Sequence, residues 1–373
     1  MKKIKFIKAI LISTVICCSS CIQSEMYTEC VTVNPDVSMK CVDFIDECVE
    51  IRLEKTDSCL ISNVDAVRFF GHYIGIQSNN VVYLFDDKGH FKRKIGSVGR
   101  GKGEYLSICD FQLLEDRVLV LAGLQKKLLE YKIDGTHLKT HDLDDTYFRF
   151  RILDGNRIVL ASQNGNDTHV DFVWYDIEKD KVVGTSGQFK KDEGLMIPDF
   201  DSFIGFNNDW ITYLFDYSVY SLAGPGDEIK KHITFEFSTT EQMPDNKDEL
   251  GFIKLEEYTA NKNVVRYLRG YGEVGNVRYL IYPLFGEHGI QTCITRIDKD
   301  GVNKTCKVSE EVDNDYPYFC VGNYMNIHDD KIVLVRDADT ILRFEEGNRL
   351  SHYADTGLKN GDNPILFLYK LKP

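Results

Sequence analysis

The residues with the most suggestive spacing for ligand chemistry lie in one loop, Gly96-Ser97-Val98-Gly99-Arg100-Gly101-Lys102-Gly103-Glu104-Tyr105, with Asp110 shortly after it. Four glycines permit positive φ and close backbone approach to a bound group. Arg100, Lys102, Glu104, Tyr105 and Asp110 would then supply charge and a phenol at the rim of a binding site. A phosphate cradle uses glycines in the same way but ends at a helix N-terminus; here a strand follows, which excludes a nucleotide P-loop. A tight structural crossover between two sheets is the competing reading of this loop. Of the nine histidines, His90, His137 and His232 fall at or near hairpins. His137 and His141 are four apart, but on a strand that spacing makes no helical metal clamp. His328, at the end of a short apolar strand, is the best candidate metal ligand, and a satisfied histidine is its alternative. The chain contains no H-E-x-x-H or G-x-S-x-G, and no C-x-x-C among the eight cysteines beyond Cys21, so metalloprotease, serine-hydrolase and zinc-ribbon chemistry lack support.

The N-terminus reads as an address. Lys2, Lys3, Lys5 and Lys8 precede a short apolar run, Ala9–Ile16, and then Cys18-Ser19-Ser20-Cys21. A basic start, a brief apolar core and small residues before a cleavage point describe an export signal over residues 1–20. Cys21 after two serines fits a bacterial lipobox, which would lipidate Cys21 and leave 21–45 as a tether; a plain secretory signal is the alternative. The chain carries a net charge of −13. Removing the four leader lysines leaves 41 basic side chains against 58 acidic ones, a net of −17. So acidic a body repels nucleic acid and anionic membrane surfaces, which leaves the N-terminal lipid as the expected membrane contact. Cys293 and Cys306 flank the turn Asp298-Lys299-Asp300-Gly301. A loop symmetric about Lys299 and Asp300 would place them opposite one another on neighbouring strands, within reach of a disulfide. Two reduced, half-buried cysteines are the other possibility.

Periodicity fixes the architecture. Six segments share the form of an apolar strand followed by an acidic or Gly-bearing turn: VVYLFDDKG, LLEYKIDG, FVWYDIEKDK, SVYSLAGPG, CITRIDKDG and ILRFEEG, ending at residues 89, 135, 181, 226, 301 and 347. Four of the five intervals are 45 or 46 residues, and the fifth is one period plus 29. Two further β-rich runs precede most copies. Four strands per period of this length make the blade of a β-propeller, and six copies predict six blades over residues 46–373. The additional 29 residues coincide with a helical pattern, placing a small helical insertion at about 239–263 between blades four and five. Val49–Leu53 and Ile365–Leu371 lie outside the six units, so one or both should close the ring.

At the glycine loop the chain also resembles a known group. IGSVGRGKGEYLSICDF is similar to the IG-x-x-G-x-GPGEY-x-x-x-x-DF signature of six-bladed β-propeller lipoproteins, NHL/TolB-like propellers of gut and oral Gram-negative anaerobes. The FDDKG turn and the closing DNPILFLYKLK fit the same group, and Lys102 departs from its usual Pro. The resemblance implies an outer-membrane lipoprotein, periplasmic or surface-facing, and little chemistry. The leading functional expectation is a monomeric ligand-binding or protein-interaction module for a glycan, peptide or envelope protein. No cofactor or nucleic acid is expected. The alternative is a metal-dependent hydrolase or lyase, lactonase- or amidoglycolate-lyase-like, holding Ca²⁺ or Zn²⁺ in the central channel.

Overall fold

The computed structural model describes residues 29–162, 172–186, 204–207, 210–213, 215–221, 229–244, 252–260, 262–286, 289–308, 316–319 and 324–373. The leader, Cys21 and the first part of the predicted tether lie outside the described residues. Six separate antiparallel sheets follow one another along the chain, making a six-bladed propeller. Blade one holds Ala66–Phe70, Tyr73–Ser78, Val81–Asp86 and Phe91–Ile95, from axis to rim. Blades two and three repeat that order from Asp110–Leu113 out to His137–Asp142, and from Arg149–Ile152 out to Lys181–Ser186. Blade four runs from Ile204–Asn207 to Lys230–Phe237, and blade five from Gly270–Val274 to Asn303–Lys307.

Blade six joins the two ends of the chain. Its inner strands are Tyr324–His328 and Lys331–Arg336; its third, Ile365–Leu371, pairs on the far side with Ile45–Arg52. Both predicted closing strands are therefore used. The stretch read as a tether is folded from Glu29 onward, which corrects the 21–45 boundary. Glu29–Val33 adds a parallel fifth strand to the rim of blade four. The chain then follows the outer strand of blade five, where Thr305 N–H donates to Val37 O (2.7 Å) and Met39 N–H to Thr305 O (3.0 Å). Residues 29–52 thus form a belt across blades four, five and six. The buried positions of that belt, Val31, Val33, Met39, Phe44 and Ile45, explain why it docks: an edge strand leaves unpaired amides and apolar side chains that a passing segment can cover.

The repeated turn has a repeated cause. In blade one Asp86 Oδ1 accepts from the amides of Lys88 (3.0 Å) and His90 (2.9 Å), while Gly89 takes φ +84°. In blade five Asp298 Oδ1 accepts from Asp300 and Val302 (both 3.0 Å), with Gly301 at φ +78°. Aspartate stabilises the turn by caging amides, and glycine supplies the left-handed residue at low steric cost. In blade three Asp180 takes the left-handed position, at φ +55°.

Two expectations are corrected by this geometry. The blade-five loop is centred on Asp300, not between Lys299 and Asp300, so Cys293 stands opposite Lys307 and Cys306 opposite Ile294. A one-residue change of register flips a side chain to the other face. Cys293 packs with Val219 and Phe235 of blade four, and Cys306 with Phe44 and Tyr279, so the two cannot bond. The sixth predicted hairpin, ILRFEEG, is instead part of the helix Ala338–Asn348. Asp337 caps it by accepting from Thr340 N–H (2.7 Å), and Ala338, Ile341 and Glu345 bury one face at helical spacing. Six blades remain because Ile365–Leu371 supplies the missing strand. The predicted insertion contains the helix Phe252–Thr259, whose Leu255 packs on Phe215, Met243 and Val264 beside blades four and five.

Blades two and three are also joined near the rim. His141 is fully buried, with Nε2 2.6 Å from Glu130 Oε1 and Nδ1 2.5 Å from Asp180 Oδ1. Hydrogen bonds from Tyr175 first, then His141 and Lys139, pull the Asp180 pKa down to about 2. Replacing His141 by Ala leaves Glu130 Oε1 without its partner in a largely buried site, with only Arg117 still bound at Oε2 (2.9 Å), and should lower unfolding free energy by about 1–3 kcal/mol, read by urea denaturation. Because the carboxylate pKa is depressed, its contribution is complete above the unfolded value of about 3.9 and lost as pH falls toward the folded one. The wild-type denaturation midpoint should therefore fall through that window, and more steeply than that of His141→Ala.

Candidate functional site

In a propeller the innermost strand of each blade pairs on one edge only, and its other edge faces the axis. Its unpaired backbone groups need partners. In blades two and three, side chains provide them. Asp110 Oδ2 accepts from Phe150 N–H (3.1 Å), and Gln112 donates to Phe150 O (3.1 Å). Arg149 Nη1 donates to Cys109 O (2.6 Å). Polar residues on these otherwise apolar strands are thus required by the ring itself.

The same positions gather charge. Arg68 of blade one donates through Nη2 to Asp110 Oδ1 at 2.7 Å, with Asp110 only 1% exposed. Its guanidinium lies over the Phe111 ring at 5.7 Å, and its buried Nε has no hydrogen-bond partner. Burial acts against the Arg68 charge, but Asp110 and then Tyr324 outweigh it and raise the pKa. Burial lowers the pKa of Arg149, which feels the attraction of Asp110 and the repulsion of Arg68. From blade six, Tyr324 places its hydroxyl 3.1 Å from His328 Nε2, and Phe69 packs edge-on against the His328 ring. Burial first, then the charges of Arg68 and Arg151, push the His328 pKa down to about 3. Residues of blades one, two, three and six therefore sense one another across the axis. The guanidiniums of Arg68 and Arg149 act on the Asp110 carboxylate, that of Arg151 lies near His328, and exposed Asp65 stands farther out beside Arg149. Among the described residues, three guanidiniums thus gather in the interior of a strongly acidic protein. A guanidinium presents paired donors matched to carboxylate, sulfate or phosphate oxygens.

Of the residues singled out in the sequence, Asp110 and His328 reach this cluster. The glycine loop occupies the seam between blades one and two. Tyr105 is fully buried, donates to Ile95 O (3.0 Å) and has its pKa raised by burial. Glu104 accepts from Gly101 N–H (2.6 Å). Gly103 lies against the His137 side chain, on the rim strand of blade two, and its carbonyl accepts from Tyr131 (3.0 Å). Arg100 and Lys102 are exposed on that loop. Sequence reading missed Arg68, Arg149 and Arg151. Their signal is a cation inside a short strand, AVRFF and RFRI, at the start of a repeat. Among the described residues no three His, Cys, Asp or Glu side chains converge to hold a metal ion. A cavity of about 550 Å³ lies away from the axis beside blade six, among Tyr316, Tyr318, Phe367, Tyr369 and His352. Its rings pack mainly on one another, and Tyr318 is tied to Glu345 at 2.6 Å.

Residues 28–370 match the family described as Domain of unknown function (DUF4934). The chain belongs to that family. No curated protein matches it significantly. Among solved structures, the DUF4934 chain is similar to a candidate exported protein from Bacteroides fragilis NCTC 9343. That pair is 19% identical with a TM-score of 0.73, covering 92% of this chain and 100% of the other. It is also similar to a member of the DUF4221 family from Bacteroides vulgatus ATCC 8482, at 10% identity and TM-score 0.54 over 88% of this chain and 97% of that one. These likenesses carry the propeller fold.

Replacing Asp110 by Ala should destabilise the protein by about 3–5 kcal/mol in chemical denaturation, because Arg68 keeps a buried charge without its partner. His328 binds no proton near pH 5 in the folded state, whereas an unfolded histidine, at about 6.5, binds one. Stability therefore falls as pH drops from about 6.5 toward 3, and the His328 ring resonances should stay those of neutral imidazole through that range in an NMR titration.

Proposed function

We propose that this DUF4934 protein is an exported, lipid-anchored propeller that binds a ligand through the axial arginine cluster. The ligand's anionic group, a carboxylate, sulfate or phosphate on a glycan, peptide or envelope protein, occupies the space beside Arg68, Arg149 and Arg151. The observation that carries this reading is that, among the described residues, the guanidiniums of Arg68, Arg149 and Arg151 gather near Asp110 and His328 in a body of net charge −13. Ring stitching accounts for one hydrogen bond of Arg149 but does not require three cations to share one axis, where each lowers the charge tolerance of its neighbours. Export is supported by the leader sequence, anchoring by Cys21 in its lipobox-like setting, and envelope residence by the resemblance to NHL/TolB-like lipoprotein propellers.

Two measurements test the reading. Isothermal titration with sulfate, phosphate and galacturonate should give saturable binding that weakens with added chloride, and neutral galactose should give none. Arg151→Gln should weaken binding by roughly tenfold, and bound anion should raise the His328 pKa. Equal affinity for neutral and charged probes, or binding unchanged by Arg151→Gln, would contradict the axial seat. In a Gram-negative host, Cys21→Ser should move the protein from the membrane to the soluble envelope fraction. Membrane retention of that variant would contradict lipid anchoring.

A further inference from the structure

The belt that wraps blades four to six carries a cysteine at its last contact with blade five. Cys41 opens the short helix Cys41–Phe44, just before the strand that closes the ring. Its sulfur lies 3.8 Å from that of Cys306, on the outer strand of blade five, 265 residues away in sequence. Both are nearly inaccessible, at 5% and 6% exposure, and both belong to the apolar cluster containing Phe44, Tyr279, Phe319 and Tyr369. The backbone around them is already held in place. Ser38 bridges Thr305 in parallel register, Asn34 N–H donates to Asn303 Oδ1 (2.9 Å), and Lys307 Nζ pairs with Asp36 Oδ1 (2.9 Å). Contacts along residues 34–41 therefore fix the approach of the two side chains, and rotation of the thiols can close the remaining gap to bonding distance.

We infer that Cys41 and Cys306 are oxidised to a disulfide that clasps the N-terminal belt to blade five, beside the seam where the ring closes. The inference rests on the export reading, since an oxidising compartment is where such bonds persist. The oxidant is a protein disulfide of the envelope. The thiolate of one cysteine attacks it, releasing one thiol and forming a mixed disulfide. The second thiolate then displaces the other sulfur. One Cys41–Cys306 bond forms, the oxidant's S–S bond is reduced to two thiols, and the two cysteine protons are taken up there. Exchange needs access to both sulfurs, so it precedes final docking of the belt. The product closes a loop of 265 residues, so it strongly constrains the unfolded chain.

The experiment takes full-length protein from an exporting host, blocks thiols with an alkylating agent, digests without reduction and identifies linked peptides by mass spectrometry. A parallel sample purified reduced is equilibrated with oxidised and reduced glutathione. A Cys41–Cys306 peptide in both samples supports the inference. Reductant should then lower the melting midpoint by roughly 5 °C, and Cys41→Ala should melt lower and ignore reductant. The linked peptide in the glutathione sample alone upholds the pairing and overturns the export reading. Its absence from both, or Cys306 linked to a different cysteine, overturns the pairing.

Discussion

Everything in this molecule depends on the hydrogen-bonded sandwich at blade six, where Ile365–Leu371 lies between Lys331–Arg336 and Ile45–Arg52. A chain of blades without that closure would leave an open edge and an incomplete axis. Closing it brings the inner strands onto a common axis and so makes neighbours of residues remote in sequence: Arg68, Asp110, Arg149, Arg151 and His328. The axial cluster is a consequence of topology acting on five ordinary strand residues. No local motif contains it.

The axis carries two demands that the same side chains meet. Backbone groups on the free edges of the inner strands need partners, and Asp110, Gln112 and Arg149 supply them from the adjacent blade. Charge then accumulates because arginine is the residue that satisfies distant carbonyls, and a guanidinium does not shed its proton under burial. Asp110 offsets part of that charge, and His328 responds by staying neutral. Among the described residues, guanidiniums gather inside a body whose overall charge is strongly negative, a distribution that discourages polyanions from the outer surface.

Six blades were legible in the sequence because turn chemistry repeats. Asp86, Asp134 and Asp298 each cage amides of a turn whose glycine has positive φ. The closing strands were legible as apolar runs left over from the count. Three features were hidden for physical reasons. ILRFEEG carries a strand-like apolar start and a Gly end, but Asp337 and the 3–4 spacing of Ala338, Ile341 and Glu345 favour a helix. The belt segment Glu29–Val33 is short and buries only Val31 and Val33, a pattern that reads equally well as linker. Cys306 faces Cys41 rather than Cys293 because one extra loop residue reverses a strand's facing, which spacing alone does not reveal. Of the axial site, Asp110 and His328 could be nominated locally. The arginines could not, since their meeting is decided by where the ring closes.

The most direct measurement is crystallographic: crystals grown with selenate, an anion visible by anomalous scattering, with data collected at the selenium edge. The account predicts an anomalous peak on the propeller axis within about 4 Å of a guanidinium of Arg68, Arg149 or Arg151, absent in an Arg151→Gln crystal. Selenate found only on the outer surface, with the axial guanidiniums fully engaged by protein carboxylates, would contradict it.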